Sequence, residues 1–222
     1  MQTKNPSVIA LSTASAASVT GLAFSSPIIL LIKNHYNTSS NEVQLTITIY
    51  LVAICISQIF WGPLSDLIGR RVVLIIGASL FSLGGILASL NLAFEVFVFF
   101  RFLQGVGAAA CLSMPRVMLT ESYGVKKAAA KMSTLLAFMA IFPILSAAFG
   151  GYIGENYGWQ TNFFTLFIFG SIIFLLNFVY SPETIKNKNK RLTFRTTFLD
   201  FRYLFGEISF LYFAGVSSIQ AA

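Results

Sequence analysis

Gly62-Pro63-Leu64-Ser65-Asp66-Leu67-Ile68-Gly69-Arg70-Arg71 lies between two long apolar runs, 43–61 and 72–91. Each run is close to the 20 or so residues that a helix needs to cross a hydrocarbon core of roughly 30 Å. The stretch therefore predicts a tight, charged hairpin joining two membrane helices on one face of a bilayer. Gly62 and Gly69 permit sharp turns and close helix approach. Asp66 can pair with Arg70 or Arg71, or sit at a helix N-terminus where negative charge is favoured. The simplest reading is a short solvated loop whose positive charge marks the cytoplasmic side. The spacing G-x-x-x-D-x-x-G-R-R is more specific than that.

Working outward, the rest of the chain has the same character. It is 56% hydrophobic and 10% charged, with a mean hydropathy of +0.76. A soluble domain carries about 25% charged residues, so a polytopic helical membrane protein is the expectation. The net charge of +7 does not point to nucleic acid, because the cations fall in the gaps between apolar runs. Cys55 and Cys111 lie inside such runs and read as small packing residues rather than a disulfide or metal site. His35 has no partner at ligand spacing, so no metal is expected.

Six spans read out, at 7–32, 43–61, 72–91, 94–119, 131–154 and 161–180. The first is too long for the roughly 7–15-residue core of a signal peptide, and Pro27 predicts a kink in it. Arg70 and Arg71 follow the second span. Arg116, Lys126, Lys127 and Lys131 surround the gap after the fourth, and a basic stretch follows the sixth. The opposite loops hold Lys33, Glu42, Glu95 and Glu155. The positive-inside rule then puts the N-terminus and the basic loops in the cytoplasm. Residues 1–182 read as a six-helix bundle and 183–207 as a basic cytoplasmic linker. Residues 208–222 are apolar but too short to span; they read as the start of a seventh helix cut off part-way, the mark of a truncated or split product.

Several motifs resemble those of the major facilitator superfamily. The 62–71 stretch is similar to its signature between helices 2 and 3, G-x-L-x-D-R/K-x-G-R-R/K, with Leu67 in place of the basic residue. Arg101-Phe-Leu-Gln104-Gly105-Val-Gly-Ala-Ala109 resembles the helix 4 motif R-F-x-Q-G-x-G-A-A. Pro182-Glu183-Thr184 resembles the "PET" that closes helix 6 in many facilitators. The whole looks most like the drug:proton antiporters of the bicyclomycin-resistance and chloramphenicol-efflux branch. The chain departs from that branch in two places. Ser146 and Ala147 replace the Gly-Pro pair of the helix 5 motif G-P-x-x-G-G, although Gly150 and Gly151 survive. Ala23 stands where an acidic residue commonly precedes the helix 1 proline.

The resemblance implies an all-α membrane protein and a secondary transporter, not an enzyme. It has no cofactor beyond a proton gradient, and it sits in a bacterial inner membrane. Its partners would be a small lipophilic substrate, the lipid bilayer, and either a missing C-terminal half or a second copy. Alternating access would arise by rocking one six-helix bundle against another.

Arg101, with Gln104 and Gly105, is implied in coupling within the central cavity. The alternative is that Arg101 snorkels to the interface near Glu95, since a lone cation inside a span costs several kcal/mol, about 3 or more. Arg116 and Glu121 are expected to join Asp66, Arg70 and Arg71 in one charge cluster. Tyr50 and Gln58 are candidates for the cavity lining. Trp61 and Trp159 read as interfacial anchors. Pro143, Gly150, Gly151 and Gly154 predict a bend and a packing surface on the fifth span. Asn177 is a buried polar residue with no partner legible in the sequence. No Asp or Glu lies within the first two spans, although a proton carrier needs a titrating group. A competing reading is therefore a non-transporting membrane remnant or a homodimerising membrane interaction protein.

Overall fold

The computed structural model describes residues 5–185 and is all helical in its regular structure. The helices are α1 (Val8–Ala23), α2 (Ile29–Tyr36), α3 (Ser40–Ile68), α4 (Arg70–Ser89), α5 (Phe94–Gly124), α6 (Lys126–Tyr157) and α7 (Trp159–Tyr180). Helices α3 to α7 are each long and apolar enough to cross a membrane. The predicted seventh-helix stub at 208–222, and all of the 183–207 linker beyond Ile185, lie outside the described residues.

The first span is broken rather than merely kinked. Helix α1 ends at Ala23, and α2 starts at Ile29 and runs beyond the predicted limit of 32. Pro27 has no N–H to donate, and its ring clashes with the carbonyl one turn back. Ser25 and Ser26 add to the break by donating their hydroxyls to Gly21 O (2.9 Å) and Leu22 O (3.2 Å). The exposed carbonyl of Phe24 is met from another helix: Asn162 Nδ2 donates to it at 3.2 Å and to Gly150 O at 2.8 Å.

The other turns are tighter than the sequence predicts. Residues 62–68, read as loop, belong to α3; Gly69 alone separates α3 from α4 (φ 116°, ψ 147°). Pro63 lies within α3 and does not stop it. Likewise the gap after the fourth span reduces to a break at Gly124 (φ 69°), and α6 meets α7 at Gly158 (φ 87°). A side chain at such positive φ is strained. In a bilayer these short turns matter because non-helical backbone has few partners there.

Four contacts place residue 6, the α3–α4 turn, the end of α5 and the end of α7 at one end of the bundle. Ser7 N–H donates to Tyr180 O (3.1 Å), and Tyr123 Oη donates to Pro6 O (3.0 Å). Arg70 reaches Glu121 (3.1 Å), and Arg71 donates to Phe178 O. The opposite end is closed by His35 against Asn91 (2.6 Å) and by an aromatic group of Tyr36, Phe94, Phe97, Trp159 and Phe163. Trp159 is therefore a core residue, not an interfacial anchor. Trp61 is as well: it is 7% exposed and donates Nε1 to Val106 O at 2.9 Å.

Replacing Gly158 with Ala should lower the unfolding free energy of the detergent-solubilised chain by about 1 kcal/mol or more. Gly62→Ala should leave it unchanged or raise it by roughly 0.5 kcal/mol, since Gly62 is helical and a methyl there meets nothing within 4 Å. Equal destabilisation by the two changes would contradict a turn made at single glycines.

Candidate functional site

Two polar assemblies stand out in this apolar bundle. The first is centred on Arg70, the first residue of α4. Its guanidinium pairs with Asp66 one turn earlier in sequence, and its Nε donates to Glu121 Oε1 of α5 at 3.1 Å. It also donates to Ser65 Oγ and approaches Gly62 O at 3.5 Å. Its backbone N–H donates to Glu183 Oε1 at 3.0 Å. The same carboxylate oxygen accepts from the N–H groups of Thr184 (3.0 Å) and Ile185 (3.2 Å). Thr184 Oγ1 closes the circuit by donating to Glu121 Oε2 at 2.6 Å.

Glu183 thus lies at the N-terminus of α4, where free N–H groups and the helix dipole favour an anion. This role was not read from the sequence. The signal lies in Pro182-Glu183-Thr184, whose carboxylate follows directly on the end of α7. The segment 183–185 packs on the bundle end and is not free linker.

Of the predicted cluster, Asp66, Arg70 and Glu121 come together. Arg71 turns aside: it donates to Phe178 O and lies 5.4 Å from the Phe178 ring centroid. Arg116 is exposed, with Nη2 3.6 Å from Met139 Sδ, and forms no ion pair among the described residues. It stands one and a half turns before Glu121 on α5, so a different face carries it.

The second assembly surrounds Arg101 on α5. Its side chain is 0% exposed, so it does not snorkel towards Glu95. One guanidinium nitrogen donates to Gln104 Oε1 and another to Gly21 O of α1 at 3.3 Å. Its carbon lies 4.6 Å from the centroid of the Tyr50 ring of α3 and 5.3 Å from that of Phe163 of α7. Tyr50 is equally buried and donates its hydroxyl to Ser18 O at 2.9 Å. Four helices therefore meet at one cation. A Cβ on Gly21 would stand 2.5 Å from Tyr50 Oη, and one on Gly105 2.6 Å from Tyr50 O. Only glycine at both positions lets α1 and α5 approach Tyr50 so closely.

This packing corrects the expected cavity face. Tyr50 lies inside the bundle rather than lining an open cavity, and Gln58 is exposed on another side of α3. No acidic side chain contacts Arg101 among the described residues; ring faces and carbonyls hold it instead. Arg101 Nε and Gln104 Nε2 have no hydrogen-bond partner among the described residues.

Asn177 gains the partners that the sequence did not reveal. It donates to Ala10 O (3.0 Å) and Ile173 O (2.9 Å), and accepts from Ser181 (2.8 Å). On α6, Gly150 and Gly154 pack against Phe24 and Ile28 at the α1–α2 break, and Gly151 faces Pro27. Pro143 is half-buried within α6.

The Major Facilitator Superfamily model matches residues 11–222. The chain belongs to the major facilitator superfamily. It is thus an integral membrane protein of a transporter family. It is similar to the multidrug resistance protein MdtL of Escherichia coli O81, with 30% identity over 148 residues, covering 67% of this chain and 38% of that protein. It is also similar to a bicyclomycin resistance protein homolog of Haemophilus influenzae, with 27% identity over 164 residues, covering 74% of this chain and 41% of that protein. The chain therefore corresponds to about two-fifths of the length of these relatives. The proton:xylose symporter XylE shares the facilitator fold at a TM-score of 0.68 and 16% identity, over 80% of this chain and 44% of its own. A crystal structure of a D-xylose–proton symporter gives the same score over 94% of this chain and 54% of its own.

In this facilitator bundle Glu183→Ala should remove the anion at the start of α4 and lower unfolding free energy by about 1 kcal/mol. Glu183→Gln, which keeps an acceptor, should lose less. Denaturant titration of the solubilised chain measures both, and two silent variants would show that the cap contributes nothing.

Proposed function

We propose that this chain is the N-terminal half of a proton-coupled efflux pump for small lipophilic compounds, working by alternating access. The second six-helix body is a C-terminal half or a second copy of the chain. The protein resides in a bacterial inner membrane, with the Arg70 end and the N-terminus in the cytoplasm. The observation that carries this reading is the Arg70 assembly, in which the signature turn, α5 and the segment after α7 are bonded into one charged end. Such a unit moves as a rigid body and offers a polar surface that another bundle can engage and release. The efflux part of the reading draws on the printed names of the relatives, a multidrug resistance protein and a bicyclomycin resistance protein homolog. The proton carrier is assigned to the other half, because no carboxylate stands beside Arg101 among the described residues.

That same lack of a carboxylate favours a second reading, a membrane protein that does not transport by itself. The two are separated by dye efflux in cells lacking other pumps. This chain alone is expected to give none, and efflux by the chain alone would require a self-sufficient homodimer. Within a complete transporter carrying this half, Asp66→Asn should abolish efflux while membrane insertion stays intact. Normal efflux by that variant would remove the Arg70 assembly from the mechanism.

A further inference from the structure

Between α1, α6 and α7 lies a cavity of about 320 Å³ that the efflux reading does not use. It occupies the half of the bundle near the α1–α2 break, away from the Arg70 assembly. Phe24, Phe142, Phe149 and Phe169 supply most of its wall. Its outer rim carries Leu145 and Phe149, which are 49% and 59% exposed, so it opens to the side of the bundle between α6 and α7. The volume falls at the lower end of the roughly 300–1,000 Å³ typical of small-molecule pockets, which combine apolar walls with a few polar groups.

Three hydroxyl residues line the cavity, Thr20, Ser146 and Thr165. Thr20 is only 4% exposed, and its Oγ1 has no hydrogen-bond partner among the described residues. Its neighbours of the same type behave differently. Thr13, Thr46, Thr48, Thr161 and Thr165 each donate to a carbonyl three or four residues back, at 2.7 to 3.2 Å. Thr165 also lines this cavity, but its hydroxyl is thereby used. A buried hydroxyl left without a partner carries a desolvation cost. A lipid acyl chain fits the walls but has nothing to offer the hydroxyl at that depth.

We propose that this lateral cavity binds a compact aromatic molecule with one hydrogen-bond acceptor, taken up from the surrounding hydrocarbon and held by Thr20 Oγ1. Aromatic faces and edges of the four phenylalanines supply the contact, and the hydroxyl fixes orientation. Binding here needs no transport, so it stands or falls apart from the efflux reading.

Benzophenone is a suitable probe, being aromatic, carrying one carbonyl, and cross-linking to nearby C–H bonds under ultraviolet light. The full chain in phosphatidylcholine nanodiscs is irradiated over a concentration series, and adducts are located by peptide mass spectrometry. Saturable adducts are expected at Phe142, Phe149 and Phe169. Thr20→Val should raise the half-saturating concentration about fivefold, the loss of one hydrogen bond, whereas Thr20→Ser should not. Ser146→Phe, which fills the cavity from α6, should abolish labelling there and gives a reading even where Thr20→Val impairs folding. Three results would each overturn the proposal. One is non-saturating labelling spread over exposed residues outside the cavity, such as Ile141 and Ile144. Another is equal half-saturation in Thr20→Val and the parent. The third is labelling seen in dodecyl maltoside but lost in nanodiscs, which would assign the cavity to a lipid chain. Loss of efflux by Asp66→Asn with labelling intact separates this site from the pump mechanism.

Discussion

A guanidinium enclosed in an apolar bundle is the constraint around which this molecule is arranged. Lipid offers no counterion and no hydrogen bonds, so a cation at Arg101 must be satisfied entirely by its own protein. The solution uses quadrupoles and dipoles in place of a carboxylate. The Tyr50 and Phe163 rings face it, and Gly21 O and Gln104 accept from it. Each partner comes from a different place along the chain, so satisfying Arg101 fixes the mutual positions of α1, α3, α5 and α7. The glycines at 21 and 105 follow from the same demand, because the Tyr50 side chain approaches α1 and the Tyr50 backbone approaches α5.

The same economy of polar groups recurs wherever the backbone leaves a helix. The α1–α2 break exposes Phe24 O, and Asn162 meets it. The end of α7 is held by Asn177 and Ser181, which reach back to α1 and to each other. The start of α4 is met by Glu183. Three turns are reduced to single glycines.

Much of this was legible in the sequence. The second to sixth apolar runs located the five long helices, and Pro27 marked where the first span breaks into two shorter ones. Asp66 was readable as a partner of Arg70 or Arg71 or as a charge at a helix N-terminus; the structure pairs it with Arg70, four residues on. Glu121 was readable as a member of the same cluster. What the sequence could not reveal depends on long-range packing. Arg116 and Glu121 lie on one helix, yet only Glu121 turns towards Arg70. Tyr50 and Gln58 looked alike as weakly polar residues of α3, but eight residues leave them about 80° apart around the helix, and only Tyr50 falls on the buried side. Arg101, Asn162 and Asn177 each donate to backbone carbonyls of other helices, and backbone carbonyls carry no sequence signal. The helix N-cap supplied by Glu183 spans over a hundred residues of chain and is visible only once α4 and α7 are side by side.

The claim that ring faces hold Arg101 in place of an acid is tested most directly by a double-mutant cycle between Tyr50→Leu and Arg101→Met. Unfolding free energies are measured in mixed micelles for the parent, the two single variants and the double variant. The packing predicts a coupling of about 1–2 kcal/mol, with the double variant less destabilised than the sum of the singles. Strict additivity would mean that the Tyr50 ring does not stabilise the buried cation, and would contradict the account.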